Sequence, residues 1–113
     1  MAAMTTALTE FADNGNSRTY SLSGHTVKEP QLVIQKRRVP VGDQTVSEST
    51  VEVVYATTDV DGNVLSSKIL FIATVRFPID GDEADRDAAL AVFRDIVAGD
   101  EFANTVGTQE WLS

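Results

Sequence analysis

The chain has 113 residues, of which 42% are hydrophobic and 23% charged, with a formal net charge of −8 and no cysteine. That length suits one domain, and the composition is that of a globular protein rather than a disordered or collagenous one. Without cysteine there is no disulfide framework, no thiolate nucleophile and no thiolate metal site.

No apolar run approaches the roughly 20 residues of a membrane span, and Met1-Ala2-Ala3-Met4 has neither the basic nor the apolar region of a secretory signal. The expectation is a soluble chain made in the cytoplasm, with no membrane partner. Segment 1–23 reads as a β-hairpin: Leu8 to Phe11 and Arg18 to Leu22 flank Asp13-Asn14-Gly15-Asn16, where Asn-Gly supplies the positive backbone angles of a tight turn. Gly24 to Pro30 is a loop, and Pro30 marks entry to a strand over Gln31 to Val39. Pro40-Val41-Gly42-Asp43 turns the chain into a second strand, Ser47 to Thr57, where Val51, Val53 and Tyr55 alternate. Asp59 to Asn63 is a polar loop containing Asp-Gly, and the longest strand follows from Val64 to Phe77. Its alternate residues Ile69, Phe71, Ala73, Val75 and Phe77 form one row, and Lys68, Leu70, Ile72, Thr74 and Arg76 the other. Pro78 ends the sheet segment, 31–78.

Segment 82–113 is helical. Asp80 or Asp82 can cap a helix running to Ala98, and Glu83, Asp85 and Asp87 place negative charge at the positive end of its dipole. Ala89, Val92, Phe93, Ile96 and Val97 make an apolar stripe, and Gly99 closes the helix as a C-terminal glycine does. A second helix is expected from Asp100 to Val106, before Gly107 and a tail with Trp111 and Leu112. A sheet with helices only after it has too little cover for its face, which points to a second copy of the chain. The fold class is therefore α+β: hairpin, antiparallel sheet, two C-terminal α-helices.

Charge is unevenly placed. Residues from Asp80 onward carry nine acids against Arg86 and Arg94, a net −7, whereas residues 1–79 carry seven bases and eight acids. Lys36-Arg37-Arg38, with Lys68 and Arg76, can make one sheet surface basic while the helices stay acidic, and binding to phosphate is driven by such Lys and Arg groups. The basic triplet has a plainer reading as a solvated strand edge that blunts aggregation.

The order hairpin, three strands and two terminal helices, with Val75-Arg76-Phe77-Pro78 leading into an acidic helix start, resembles the coat proteins of single-stranded RNA bacteriophages. The resemblance covers almost the whole chain. It implies a five-stranded antiparallel sheet per subunit, after an N-terminal hairpin, that pairs edge to edge with a second copy while the helices interlock, burying Phe93, Ile96 and Phe102 between subunits. It further implies assembly of these dimers in the bacterial host cytoplasm into an icosahedral virion shell, with helices and hairpin outside and the sheet facing packaged RNA. A genomic RNA hairpin on that sheet would repress translation.

By position, the resemblance assigns RNA contact to Gln35 and Arg37 on the first long strand, Thr50 and Glu52 on the second, and Lys68, Thr74 and Arg76 on the third. Two features depart from the family: Glu52 sets a like charge against phosphate, and Leu70 with Ile72 are aliphatic where the family often has polar or aromatic groups. A one-residue register slip would place Lys36 and Arg38, instead of Gln35 and Arg37, on that face.

No enzyme is expected, since there is no recognisable nucleophile, metal set or Gly-rich phosphate loop, and no cofactor is implied. Asp80 to Asp87 lacks the spaced ligands of a calcium loop and is explained by helix-start electrostatics. His25, the single histidine, has no neighbouring nucleophile and reads as a surface residue, and Trp111 as a packing anchor at a subunit contact. The resemblance also implies that the loop Asp59 to Asn63 lies where subunits gather, where its two carboxylates, Asp59 and Asp61, would crowd and make assembly sensitive to salt, pH or divalent ions; the alternative is an ordinary hairpin tip. The competing reading of the whole chain is a small dimeric α+β domain that binds a ligand or RNA and forms no shell.

Overall fold

The computed structural model describes Ala3 to Ser113; Met1 and Ala2, which open the expected hairpin segment and the stretch read as lacking a signal, lie outside the described residues. The chain divides into two compact units, one ending at Pro78 and the other beginning at Ile79.

The first unit is one antiparallel sheet of five strands: β1 (Thr9–Asp13), β2 (Ser17–Ser21), β3 (Gln31–Arg38), β4 (Val46–Tyr55) and β5 (Ile69–Pro78). They pair in chain order as a meander, so β3 is central and β1 and β5 are the edges. Two expectations change here. The hairpin is itself two of the five strands rather than an element ahead of the sheet, because β2 pairs with β3 from Ser17↔Lys36 to Ser21↔Leu32. The basic triplet does not lie on an edge strand, since β3 stands between β2 and β4, although β2 pairs with it only as far as Lys36.

The β1–β2 turn uses one positive φ, +80° at Gly15, while Asp13 Oδ1 accepts from Gly15 N–H at 2.9 Å and Asn14 N–H donates to Ser17 O at 2.8 Å. The connection from β4 to β5 is longer than expected. Val64 makes only an isolated bridge with Thr58 and Leu65 N–H donates to Thr57 O, so β5 starts at Ile69 and not at Val64, and with ten residues it equals β4 rather than exceeding it. Ser66 and Ser67 bend the chain before β5.

The second unit holds α1 (Glu83–Ala98) and α2 (Asp100–Thr108). Asp82 is the α1 cap: its carboxylate accepts from Ala84 N–H at 2.9 Å, and Glu83 and Asp85 stand in the first turn. Gly99 ends α1 with φ −81°, ψ 155°, not in the left-handed region expected of a terminal glycine. It is simultaneously the N-cap of α2, a position that takes extended backbone. A Cβ there would meet Glu101 Oε2 at 3.0 Å, the free end of an exposed side chain, and Asp95 O at 3.4 Å, an ordinary contact, so neither backbone angle nor space restricts the position to glycine. α2 runs through Gly107 to Thr108, two residues past the expected end, and closes on Gln109 at φ 59°, whose N–H donates to Thr105 O at 2.9 Å.

No described residue is buried. Taken alone, the sheet leaves Phe71 and Ile72 exposed and the helix pair leaves Leu90, Phe93 and Ile96 exposed, so neither unit has a closed apolar core of its own.

Candidate nucleic-acid interface

Alternation along the strands sorts the expected RNA-contacting residues by face, because residues directly opposite in an antiparallel ladder project to the same side. The register aligns Lys36, Thr50 and Thr74 in one row, Arg38, Glu48 and Arg76 in the next, and Ile34, Glu52 and Ile72 on the other flank. Thr50, Glu52, Thr74 and Arg76 therefore share a face. Gln35 and Arg37 do not: Gln35 pairs with Val51 and Ala73 lies beyond, and Arg37 pairs with Ser49 beside Val75, all on the opposite face. Their places on the first face are taken by Lys36 and Arg38. Lys68 stands one residue ahead of β5, outside the ladder that would fix its direction.

The face that carries Lys36 and Arg38 is polar at one end and aliphatic at the other. At the polar end Thr50 Oγ1 and Thr74 Oγ1 hydrogen-bond at 3.2 Å across β4 and β5. Around them Arg76 Nε meets Glu48 Oε2 at 3.1 Å, Arg38 Nη2 meets the same oxygen at 3.8 Å, and Lys36 Nζ lies 3.6 Å from Glu52 Oε1. These three cations and two carboxylates leave one net positive charge, on side chains that are mostly exposed. Toward the other end Leu32, Val54 and Leu70 follow Ile34 and Ile72. Exposed pairs of this kind contribute little to stability, so the chemistry they offer is a patterned, weakly positive surface with central hydroxyls. Such a surface can hold phosphate oxygens and present Thr hydroxyls to sugar or base groups.

The opposite face is apolar through its centre, where Val33, Val53 and Phe71 align, and Val51 with Ala73. In the helical unit Phe93 and Ile96 are 48% and 39% exposed and Phe102 is half-buried. Trp111 is 91% exposed.

Two residues read otherwise from sequence have structural partners. His25 is half-buried, with Nδ1 accepting from Gln31 N–H at 3.1 Å and its ring edge-on to Phe11 at 5.3 Å; it fastens the β2–β3 loop. Asp59 turns its carboxylate inward, accepting from Asp61 N–H at 2.9 Å and Asn63 N–H at 3.0 Å, and these bonds hold its pKa below the ordinary aspartate value, the Asn63 backbone foremost. Among the described residues no group of three or more His, Cys, Asp or Glu side chains converges as metal ligands would, and no helix is long and apolar enough to cross a membrane.

No protein-family model matches the chain and no curated protein matches it. Its fold is that of chains solved in virus-like particles of levi-like viruses. With Beihai levi-like virus 32 the TM-score is 0.76 at 15% identity, covering 96% of this chain and 85% of that one. With Wenzhou levi-like virus 4 it is 0.74 at 18% identity, over 96% and 79%. With Beihai levi-like virus 21 it is 0.77 at 13% identity, over 92% and 85%. The five-stranded antiparallel sheet followed by two C-terminal helices is thus the levi-like coat protein fold, as the resemblance to RNA phage coat proteins implied.

Proposed function

We propose that this chain is a structural capsid subunit that dimerises, assembles into an icosahedral shell and packages single-stranded RNA, without catalysis, cofactor, metal or membrane. The observation that carries the reading is a fold shared, over nearly the whole chain, with proteins solved as virus-like particles. The absence of a buried described residue supports dimerisation, because a second copy is the source of cover that the sequence requires. Phe93, Ile96 and Phe102 are already partly covered, so burying the rest of each against that copy would contribute a fraction of the roughly 1.5–3 kcal/mol that full burial supplies.

Pairing of sheets is best supported at β5. That edge has ten residues and exposes Leu70 and Ile72, whereas β1 has five and is kinked by an irregularity between Glu10 and Ala12. RNA would lie on the face with Lys36, Arg38, Thr50, Glu52, Thr74 and Arg76, with Lys68 at its margin. Gln35 and Arg37 drop out of that set for want of a shared face. Repression of translation through a genomic RNA hairpin would use this same surface. The proposed setting is the virion, after assembly in the bacterial host cytoplasm.

Electron microscopy of the purified protein, with extraction of bound nucleic acid, tests the reading. Closed particles containing RNA are expected. A persistent small dimer without particles would favour the competing account, an α+β binding domain that forms no shell.

A further inference from the structure

Arg37 is left without a role by the interface above, and its surroundings are distinctive. On the face opposite Lys36 and Arg38, next to the β1–β2 turn, a cleft of about 270 Å³ is lined by Asn16, Ser17, Arg18, Tyr20, Gln35 and Arg37, with Gly15 at the turn. The register builds it. Arg18 and Gln35 are cross-strand partners, Arg37 follows Gln35 by two residues on β3, and Tyr20 follows Arg18 by two on β2, so all four project to one side.

Two acceptors of the cleft are engaged by arginine, the Tyr20 side chain by Arg18 and the Asn16 amide oxygen by Arg37. Asn16 Oδ1 accepts from Arg37 Nε at 3.2 Å, and Asn16 O accepts from Arg37 N–H at 2.9 Å, which anchors the guanidinium to the turn and leaves its terminal N–H groups as a fork. Asp13 neutralises Arg18 through Nε at 3.2 Å and is itself engaged by Gly15 N–H. Among the described residues Arg37 takes part in no ion pair, unlike Lys36, Arg38 and Arg76, each of which has a glutamate. An unneutralised arginine fork, held by its Nε and flanked by a second arginine and the Gln35 amide, matches an anion made only of acceptors.

We propose that this cleft binds a phosphate-class oxyanion, with Arg37 as principal ligand, Arg18 and Gln35 beside it, and Asn16 as the support that orients Arg37. The site lies on the other face from the proposed RNA surface and stands independently of it. Phosphate can reach it as a small free compound or as a phosphodiester of a nucleic-acid strand.

The test is equilibrium dialysis of radiolabelled inorganic phosphate against the purified full-length protein, in the assembly it adopts, at low ionic strength. Saturable uptake is expected, weakened at least tenfold by Arg37→Gln, about threefold by Arg37→Lys, which keeps the charge and loses the fork, and unchanged by Lys28→Gln in the β2–β3 loop. A short single-stranded oligoribonucleotide that displaces phosphate from the wild type, and fails to bind there in Arg37→Gln, supports the site with a strand phosphodiester as ligand. An oligoribonucleotide that does not displace it supports the site with a small free phosphate compound as ligand. Wild-type protein without saturable uptake overturns the proposal, as does equal uptake by Arg37→Gln or an equal loss in Lys28→Gln, since either would reduce the effect to general surface charge.

Discussion

Asp59 closes its loop from within, taking hydrogen bonds from Asp61 and Asn63, while the loop backbone adds Asp59 N–H to Asn63 O at 2.9 Å and Gly62 at φ +84°. Its folded pKa lies below the 3.8 of an ordinary aspartate, so the unfolded chain binds the proton more readily than the folded one. The carboxylate's stabilisation of the loop is therefore complete above that ordinary value and is lost as pH falls through the lower, folded value. Carbon NMR of the carboxyl should show Asp59 titrating below 3.8, with the Asn63 amide losing exchange protection as it does; a midpoint at or above 3.8 would remove Asp59 as the loop's fastener. At this scale the sequence was partly legible. An Asp-Gly turn and a capping Asp82 follow from side chains that bond their own backbone. The conformation of Gly99 did not, because a second helix begins at once and makes the same residue its extended N-cap, which the preference for glycine at a helix end does not encode.

Strands and helices were legible as elements because alternation and helical spacing are local, but the partner opposite each residue is not. The seven-residue RNA set divided for that reason: reading β3 one residue out of step with β4 and β5 placed Gln35 and Arg37 beside Thr50, where the ladder puts Lys36 and Arg38. Register also shows what the sequence could not, that Glu48 lies between Arg38 and Arg76 and engages both. Glu48 thus restrains the positive end of the face. Glu48→Gln should tighten binding of single-stranded RNA and steepen its salt dependence by about 0.7 in the log–log slope for each added phosphate contact, whereas Arg76→Gln should weaken binding and flatten the slope. Filter-binding at several salt concentrations measures both. If Glu48→Gln bound RNA no better than the wild type, the polar face would not be where phosphate sits.

At the scale of the whole molecule the physical problem is cover. Leu90, Phe93 and Ile96 on α1 and Phe71 and Ile72 on β5 are exposed, and apolar surface gains free energy wherever it leaves water; in the proposed dimer a second copy supplies the cover. If folding is coupled to dimerisation, the folded fraction obeys mass action, and each tenfold dilution weakens the assembled state by about 1.4 kcal/mol. The midpoint of urea unfolding, followed by circular dichroism on dimers dissociated from any larger assembly, should fall between micromolar and nanomolar protein. Phe93→Asp, which places a charge on the surface to be covered, should lower it further or abolish the transition, while the exposed substitution Arg37→Gln should leave it in place. A sheet and helix pair that satisfied their apolar residues within one chain would unfold at the same urea concentration whatever the dilution, and Phe93→Asp would then lower the midpoint by the same amount at every protein concentration.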